Sequence, residues 1–180
     1  MTKVHTSAVV IIPPREKWEP IQKIRRRHDK KVDRWMPHIN LIYPFHPREN
    51  YESIIEDFTR VCSNFPSFEI KLEKFKFFRH RYQTYTIWLM PEPKKKVKNL
   101  QAQILKIVPT CNDLNLFPNG YKPHLSVGQF TTYKIQDQIK KLQDNWDVIR
   151  FIVNEIYFIT RKNRNDASFS INETIPLESI

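Results

Sequence analysis

Two five-residue segments, Pro37-His38-Ile39-Asn40-Leu41 and Pro123-His124-Leu125-Ser126-Val127, repeat one pattern 86 residues apart: Pro, His, aliphatic, small polar, aliphatic. Both sit in runs that alternate like half-buried strands, and similar elements recur around each. A strand from His5 to Ile12 leads into a helix from Pro14 to His28, a strand at 38–43, a helix from Pro47 to Ser63, and strands at 68–78 and 82–90. The second half reads helix 94–108, strand 124–130, helix 134–146, and strands at 149–160 and 167–175. Moving along the chain by the same 86 residues takes Tyr51–Cys62 onto Asp137–Val148, Ile70 onto Ile156 and Tyr82 onto Ser168, helix onto helix and strand onto strand. So long a period excludes a solenoid. The expectation is an α+β fold of duplicated βαββ-type units forming two pseudo-symmetric lobes, motif 1 at 38–41 and motif 2 at 124–127. No low-complexity linker separates the halves, so residues 1–180 are read as one domain.

The repeated segment carries chemistry as well as topology. In a strand, residues i and i+2 share a face. His38 therefore projects with Asn40, and His124 with Ser126, while Ile39, Leu41, Leu125 and Val127 point into a core. Pseudo-symmetry would bring both pairs across one cleft. Two facing imidazoles suit in-line displacement at phosphorus: one neutral ring takes a proton from the attacking oxygen, and one protonated ring gives a proton to the leaving oxygen. An ordinary pKa of about 6.5 lets both states exist near neutral pH. Asn40 and Ser126 can donate to the non-bridging oxygens.

Composition narrows how phosphate can be held. With only Gly120 and Gly128 in the chain, neither a GxGxxG turn nor a GxxxxGK[ST] loop can be written. Phosphate recognition must rest on side chains. No HExxH or Cys/His cluster is written in the sequence, and no metal or other cofactor is expected. The formal net charge is +11. Residues 1–34 hold ten Lys/Arg against four acids, and the run Arg25-Arg26-Arg27 reads as a solvated helix face or as a funnel for a polyanion. Cys62 and Cys111 form no CxxC pair, and no apolar run reaches the length of a membrane span. A soluble cytoplasmic or nuclear monomer with no membrane contact is expected.

In their contexts, Arg34-Trp35-Met36-Pro37-His38-Ile39-Asn40-Leu41-Ile42-Tyr43-Pro44-Phe45 and Lys122-Pro123-His124-Leu125-Ser126-Val127-Gly128-Gln129-Phe130, the paired motifs resemble those of the 2H phosphoesterase superfamily. That superfamily includes LigT-like 2′-5′ RNA ligases and 2′,3′-cyclic phosphodiesterases, and the resemblance spans about residues 5–175. It implies antiparallel sheets lining a central cleft, His38 and His124 as the acid/base pair, and the i+2 residues as phosphate ligands. One departure is Asn40, where the family's pattern has Ser or Thr. Which histidine is base and which acid stays open.

Around the motifs, Arg34, Lys122 and Arg161 are candidates to hold phosphate, and Tyr43 and Phe130 to stack a base. Parity puts Phe130 on the face of His124 and Ser126. The same parity puts Tyr43 and Phe45 on the buried face unless Pro44 breaks the alternation. Gly128 would let substrate or backbone approach closely. The expected activity is a metal-independent, two-histidine phosphodiesterase for RNA or nucleotides with a 2′,3′-cyclic phosphate or a 2′-5′ linkage. The alternatives are a non-catalytic RNA-binding module and a phosphodiesterase for a small nucleotide-derived metabolite.

Overall fold

Alternation and proline punctuation set the element boundaries in the computed structural model, which describes residues 2–162 and 168–179. Strand β1 (Ser7–Ile11) ends before Pro13-Pro14, and a short turn of 3-10 helix leads into α1 (Trp18–His28). Then follow β2 (Ile39–Ile42), α2 (Ile55–Cys62), β3 (Phe68–Arg79), β4 (Thr84–Glu92), α3 (Lys94–Leu105), β5 (Leu125–Thr131) and α4 (Ile135–Asp144). The chain closes with β6 (Ile149–Val153), β7 (Glu155–Thr160) and β8 (Ser170–Pro176). The expected start of the last strand at residue 167 lies outside the described residues.

The strands form two antiparallel sheets ordered β2-β1-β7-β8 and β5-β4-β3-β6. Each motif strand is therefore the edge of its sheet. The third strands, β7 and β3, carry Ile156 and Ile70, the pair related by the 86-residue displacement, and both are fully buried. The displacement fails for β4 and β8, which take the second place in one sheet and the outer place in the other. One main core joins the sheets to their helices. It draws on Ile21 of α1, Phe58 of α2, Leu100 of α3 and Ile135 of α4, together with Ile11, Leu41, Ile87 and Val127 from the strands. Among the described residues no helix is long and apolar enough to cross a membrane.

The single strand expected at 149–160 is two strands in different sheets. Odd positions Ile149, Phe151 and Val153 are buried against β3, whereas even positions Ile156 and Phe158 are buried beside β1. This change of phase at Asn154 marks the crossing, and the Asn154 carbonyl accepts from the Leu177 N–H at 2.8 Å.

Both motif strands are bulged at the same place. In β2, Asn40 lies opposite Val10 and Ile42 opposite Val9, leaving Leu41 as the extra residue. In β5, Ser126 lies opposite Trp88 and Gly128 opposite Ile87, leaving Val127 as the extra residue. A bulge sends two consecutive side chains to one side and reverses the alternation beyond it. Leu41 with Ile42, and Val127 with Gly128, thus all face the core, and every one of them is buried.

Candidate active site

Edge strands with a bulge present short polar faces, and here each presents an imidazole. His38 Nδ1 lies 2.7 Å from the Met36 carbonyl and His124 Nδ1 lies 2.7 Å from the Lys122 carbonyl. A carbonyl only accepts, so Nδ1 carries the proton in both rings, and Nε2 of each is left with its lone pair. Burial lowers the pKa of both. His38 is brought down to about 4, chiefly by desolvation; the Met36 carbonyl opposes the shift, and the charges of Arg25 and His124 add to it. The His124 shift has the same direction and the same leading cause. That the charge of His124 is felt at His38 puts the two motifs within electrostatic reach of each other.

The rings are held by different aromatic surroundings. His38 stacks on Trp35, with centroids 4.5 Å apart and planes 15° from parallel, and Trp35 stacks on Phe169 at 3.8 Å. His124 meets Phe78 edge-on at 5.0 Å and Trp88 at 5.9 Å, and Phe78 and Trp88 stack on each other at 4.9 Å. None of Trp35, Phe78, Trp88 or Phe169 was among the expected site residues. For Trp88 a signal was present, because alternation along β4 sets it with Thr86 opposite the buried Tyr85, Ile87 and Leu89. Trp35 lies in the irregular segment between α1 and β2, where no periodicity reports its direction.

Asn40 and Ser126 are half-buried, on the same faces as their histidines. Asn40 Oδ1 is buried and, among the described residues, has no hydrogen-bond donor. Its backbone carbonyl accepts from the Tyr121 hydroxyl at 2.6 Å, a bond that ties the segment before motif 2 to motif 1. Tyr43 faces the His38 side, edge-on to Trp35 at 5.5 Å, because the bulge at Leu41 rather than Pro44 reverses the alternation. Phe45 stays in the core, fully buried.

Phe130 is not on the His124 face. The bulge at Val127 turns it to the opposite side, where it is 8% exposed and stacks on His28 of α1 at 4.3 Å. Gln129 takes the position the alternation assigned to Phe130, and accepts from the Lys30 N–H at 3.1 Å. Gly128 serves the same packing. A Cβ there would lie 2.5 Å from His28 Cβ, so α1, not substrate, is what approaches it.

Of the expected phosphate-holding cations, Lys122 is exposed, with Nζ 5.9 Å from the Phe78 ring centroid beside His124. Arg161 lies 5.6 Å from the Phe169 centroid on the His38 side, with a buried Nε that has no partner among the described residues. Arg34 is half-buried, and its carbonyl accepts from the Phe169 N–H at 2.8 Å. The Arg25-Arg26-Arg27 run is not uniformly solvated. Arg25 is 2% exposed and bonds Asp29, Gln22 and, at 2.9 Å, the Trp35 carbonyl. Asp29 in turn receives Gln129 Nε2 at 3.4 Å, so this ion pair braces the approaches to both motifs. The other histidines lie elsewhere: His46 is buried between the Thr2 carbonyl and Cys111 Sγ.

The arrangement offers two acid/base nitrogens, neighbouring amide and hydroxyl groups, and flanking aromatic and cationic side chains, which suits displacement at a phosphodiester. A family model described as the 2′-5′ RNA ligase superfamily matches residues 13–165. The fold is similar to E. coli LigT complexed with 3′-AMP, with a TM-score of 0.63 at 13% identity over 98% of this chain and 99% of that one. It is also similar to the Thermus thermophilus protein TT0787, with a TM-score of 0.65 at 10% identity over 96% and 98%. At these identities the likeness is one of fold. No match was found among curated proteins.

Proposed function

The chain belongs to the 2′-5′ RNA ligase superfamily, and from that premise we propose that it is a metal-independent phosphodiesterase that opens RNA-type 2′,3′-cyclic phosphates or 2′-5′ linkages with two histidines. One observation carries this reading: His38 and His124 are both fixed through Nδ1–H to the carbonyl two residues earlier, which leaves both Nε2 atoms for proton transfer.

In the proposed reaction a water oxygen attacks phosphorus, and the water proton passes to the neutral imidazole. The opposite P–O bond breaks, and the leaving ribose oxygen takes a proton from the other, protonated imidazole. His38, held neutral down to about pH 4, fits the base. His124 fits the acid, its protonation favoured once an anionic phosphate lies beside it. Ser126 and Asn40 donate to the non-bridging oxygens, and Lys122 and Arg161 neutralise phosphate charge. The buried Asn40 Oδ1, an acceptor with no donor among the described residues, suits a ribose hydroxyl as its missing donor.

The test is incubation in EDTA with 2′,3′-cyclic nucleotides, 2′-5′ and 3′-5′ dinucleotides and cyclic-phosphate-ended RNA, with products identified by mass. Opening of a cyclic phosphate or a 2′-5′ linkage, abolished in His38→Ala and His124→Ala, is the expected result. Unaltered turnover in the double variant overturns the scheme. Salt-sensitive RNA binding with no product from any of these substrates would instead point to a binding module.

A further inference from the structure

The hairpin of β3 and β4 runs well beyond the histidines. Residues 74–91 carry Lys74, Lys76, Arg79 and Arg81 and no Asp or Glu, and among the described residues none of these four cations is in an ion pair. Register places Lys76, Trp88 and Ser126 abreast, and Phe78, Thr86 and Gln129 abreast one step further out. Beyond them His80, exposed, bonds Thr86 Oγ1 through Nε2 at 2.8 Å. The hairpin ends at Tyr82, 90% exposed. Aromatic rings thus succeed one another from the His124 neighbourhood to the tip, with lysine and arginine among them.

The tip is also conformationally costly. Tyr82 and Gln83 both have positive φ, 53° and 59°. For residues with a Cβ the left-handed region costs about 1–2 kcal/mol each, and tight hairpins ordinarily place Asn or Gly there. A large aromatic side chain at such a position, packed against nothing, does nothing for stability. Beside it the following loop is attached through the Thr132 N–H to the Gln83 carbonyl at 3.1 Å, and carries Tyr133, 88% exposed, and Lys134.

We propose that this hairpin is a track for single-stranded RNA, on which the strand flanking the reacting phosphate leaves the His124 side, stacks over Phe78 and His80, and ends on Tyr82, with Lys76 and Arg81 at its phosphates. The occupant follows from complementarity: the half-buried Phe78 and the exposed His80 and Tyr82, with Lys76 and Arg81 beside them and in no ion pair among the described residues, match a chain of π faces and phosphates, and side chains two residues apart in a strand, about 6.8 Å, are on the scale of the phosphate repeat of an extended strand. A duplex, its bases already stacked, gains nothing from the rings. The inference rests on the proposed reading of the two histidines for where the reacting phosphate lies.

The test measures binding of a fluorescein-labelled, twelve-nucleotide single-stranded RNA with a 3′-terminal phosphate, and of a 3′-mononucleotide, to the wild-type chain and to Tyr82→Gly and Tyr82→Phe. Glycine removes the ring at a φ that favours glycine, so loss of fold does not confuse the result. The twelve-mer is expected to bind roughly five- to tenfold more weakly relative to the mononucleotide in Tyr82→Gly, on the scale of one lost stacking contact, and phenylalanine is expected to restore it. An unchanged ratio overturns the proposal. So does equal binding of a duplex, or displacement of the RNA by polyphosphate as effectively as by unlabelled strand. If the ratio falls while the wild type turns over no cyclic phosphate, the reading of the histidines fails and the track stands.

Discussion

The two motif strands are built alike and supported differently. In β2 and β5 a histidine is followed at i+2 by a small polar residue and then by a bulge, so four side chains take the same sides in both. The second core-facing residue is where they part. Ile42 fills space behind the first sheet, whereas Gly128 leaves room for His28 of α1, the helix of the first unit, which packs on the strand of the second. Beyond the bulge, Tyr43 joins the aromatic group around Trp35 while Gln129 bonds the end of α1. The backbone geometry around each histidine is thus common to both strands, and what surrounds it is not.

Removing either imidazole is the strongest way to challenge that symmetry. His38→Ala and His124→Ala should each lower kcat by roughly 10²–10⁴ with circular dichroism and melting temperature little changed. If one variant keeps most of the activity, the two motifs are alike in shape only. Next in size is Gly128→Ala, whose new methyl meets α1 at a φ of +154° that disfavours a side chain. Overpacking there should cost about 1–3 kcal/mol in urea unfolding, while Ile42→Ala, the equivalent position, should lose about 2–5 kcal/mol by leaving a cavity. Equal, negligible losses would show that the two bulges do not differ in support.

The pH response should separate the histidines further. His38, with its folded pKa at about 4 against 6.5 unfolded, binds fewer protons in the folded chain between those values. Its contribution to stability is therefore complete above pH 6.5 and is lost as pH falls towards 4. Melting temperature should decline over that window in the wild type and decline less in His38→Phe. The acid limb of kcat/KM should likewise fall near pH 4 rather than 6.5, which a pH–rate profile checks. The smallest effect is expected from Asn40→Ser, which makes the first motif like the second. Turnover should stay within about tenfold, since either side chain can donate. A larger loss would assign the Asn40 Oδ1 acceptor a part that Ser126 does not share.

Much of this comparison was open to reading from residues alone. Periodicity found the strands, though it ran β6 and β7 together, prolines found most of their ends, and i, i+2 spacing paired His38 with Asn40 and His124 with Ser126. The bulges were hidden, because an extra residue in one strand shows itself only against its partner. Alternation alone therefore puts Phe130 on the face that Gln129 occupies, and leaves the direction of Tyr43 to Pro44. The Arg25-Arg26-Arg27 run was opaque for a related reason: three like charges on a helix look equally solvated until the Trp35 carbonyl and Asp29 single out Arg25.

The crossing at Asn154 bears on how the molecule is assembled in time. Every strand of the second sheet lies within residues 68–153, an uninterrupted stretch, while the first sheet needs β1 and β2 from before it and β7 and β8 from after. As the chain leaves the ribosome, the sheet that carries His124 has all its strands before the one that carries His38 has its third. Pairings close in sequence form sooner than distant ones. The sheet beside His124 therefore has all its strands before residues 155–176 supply the last two strands of the sheet beside His38, and the two histidines, alike in the folded chain, are expected to come into position at different moments of synthesis.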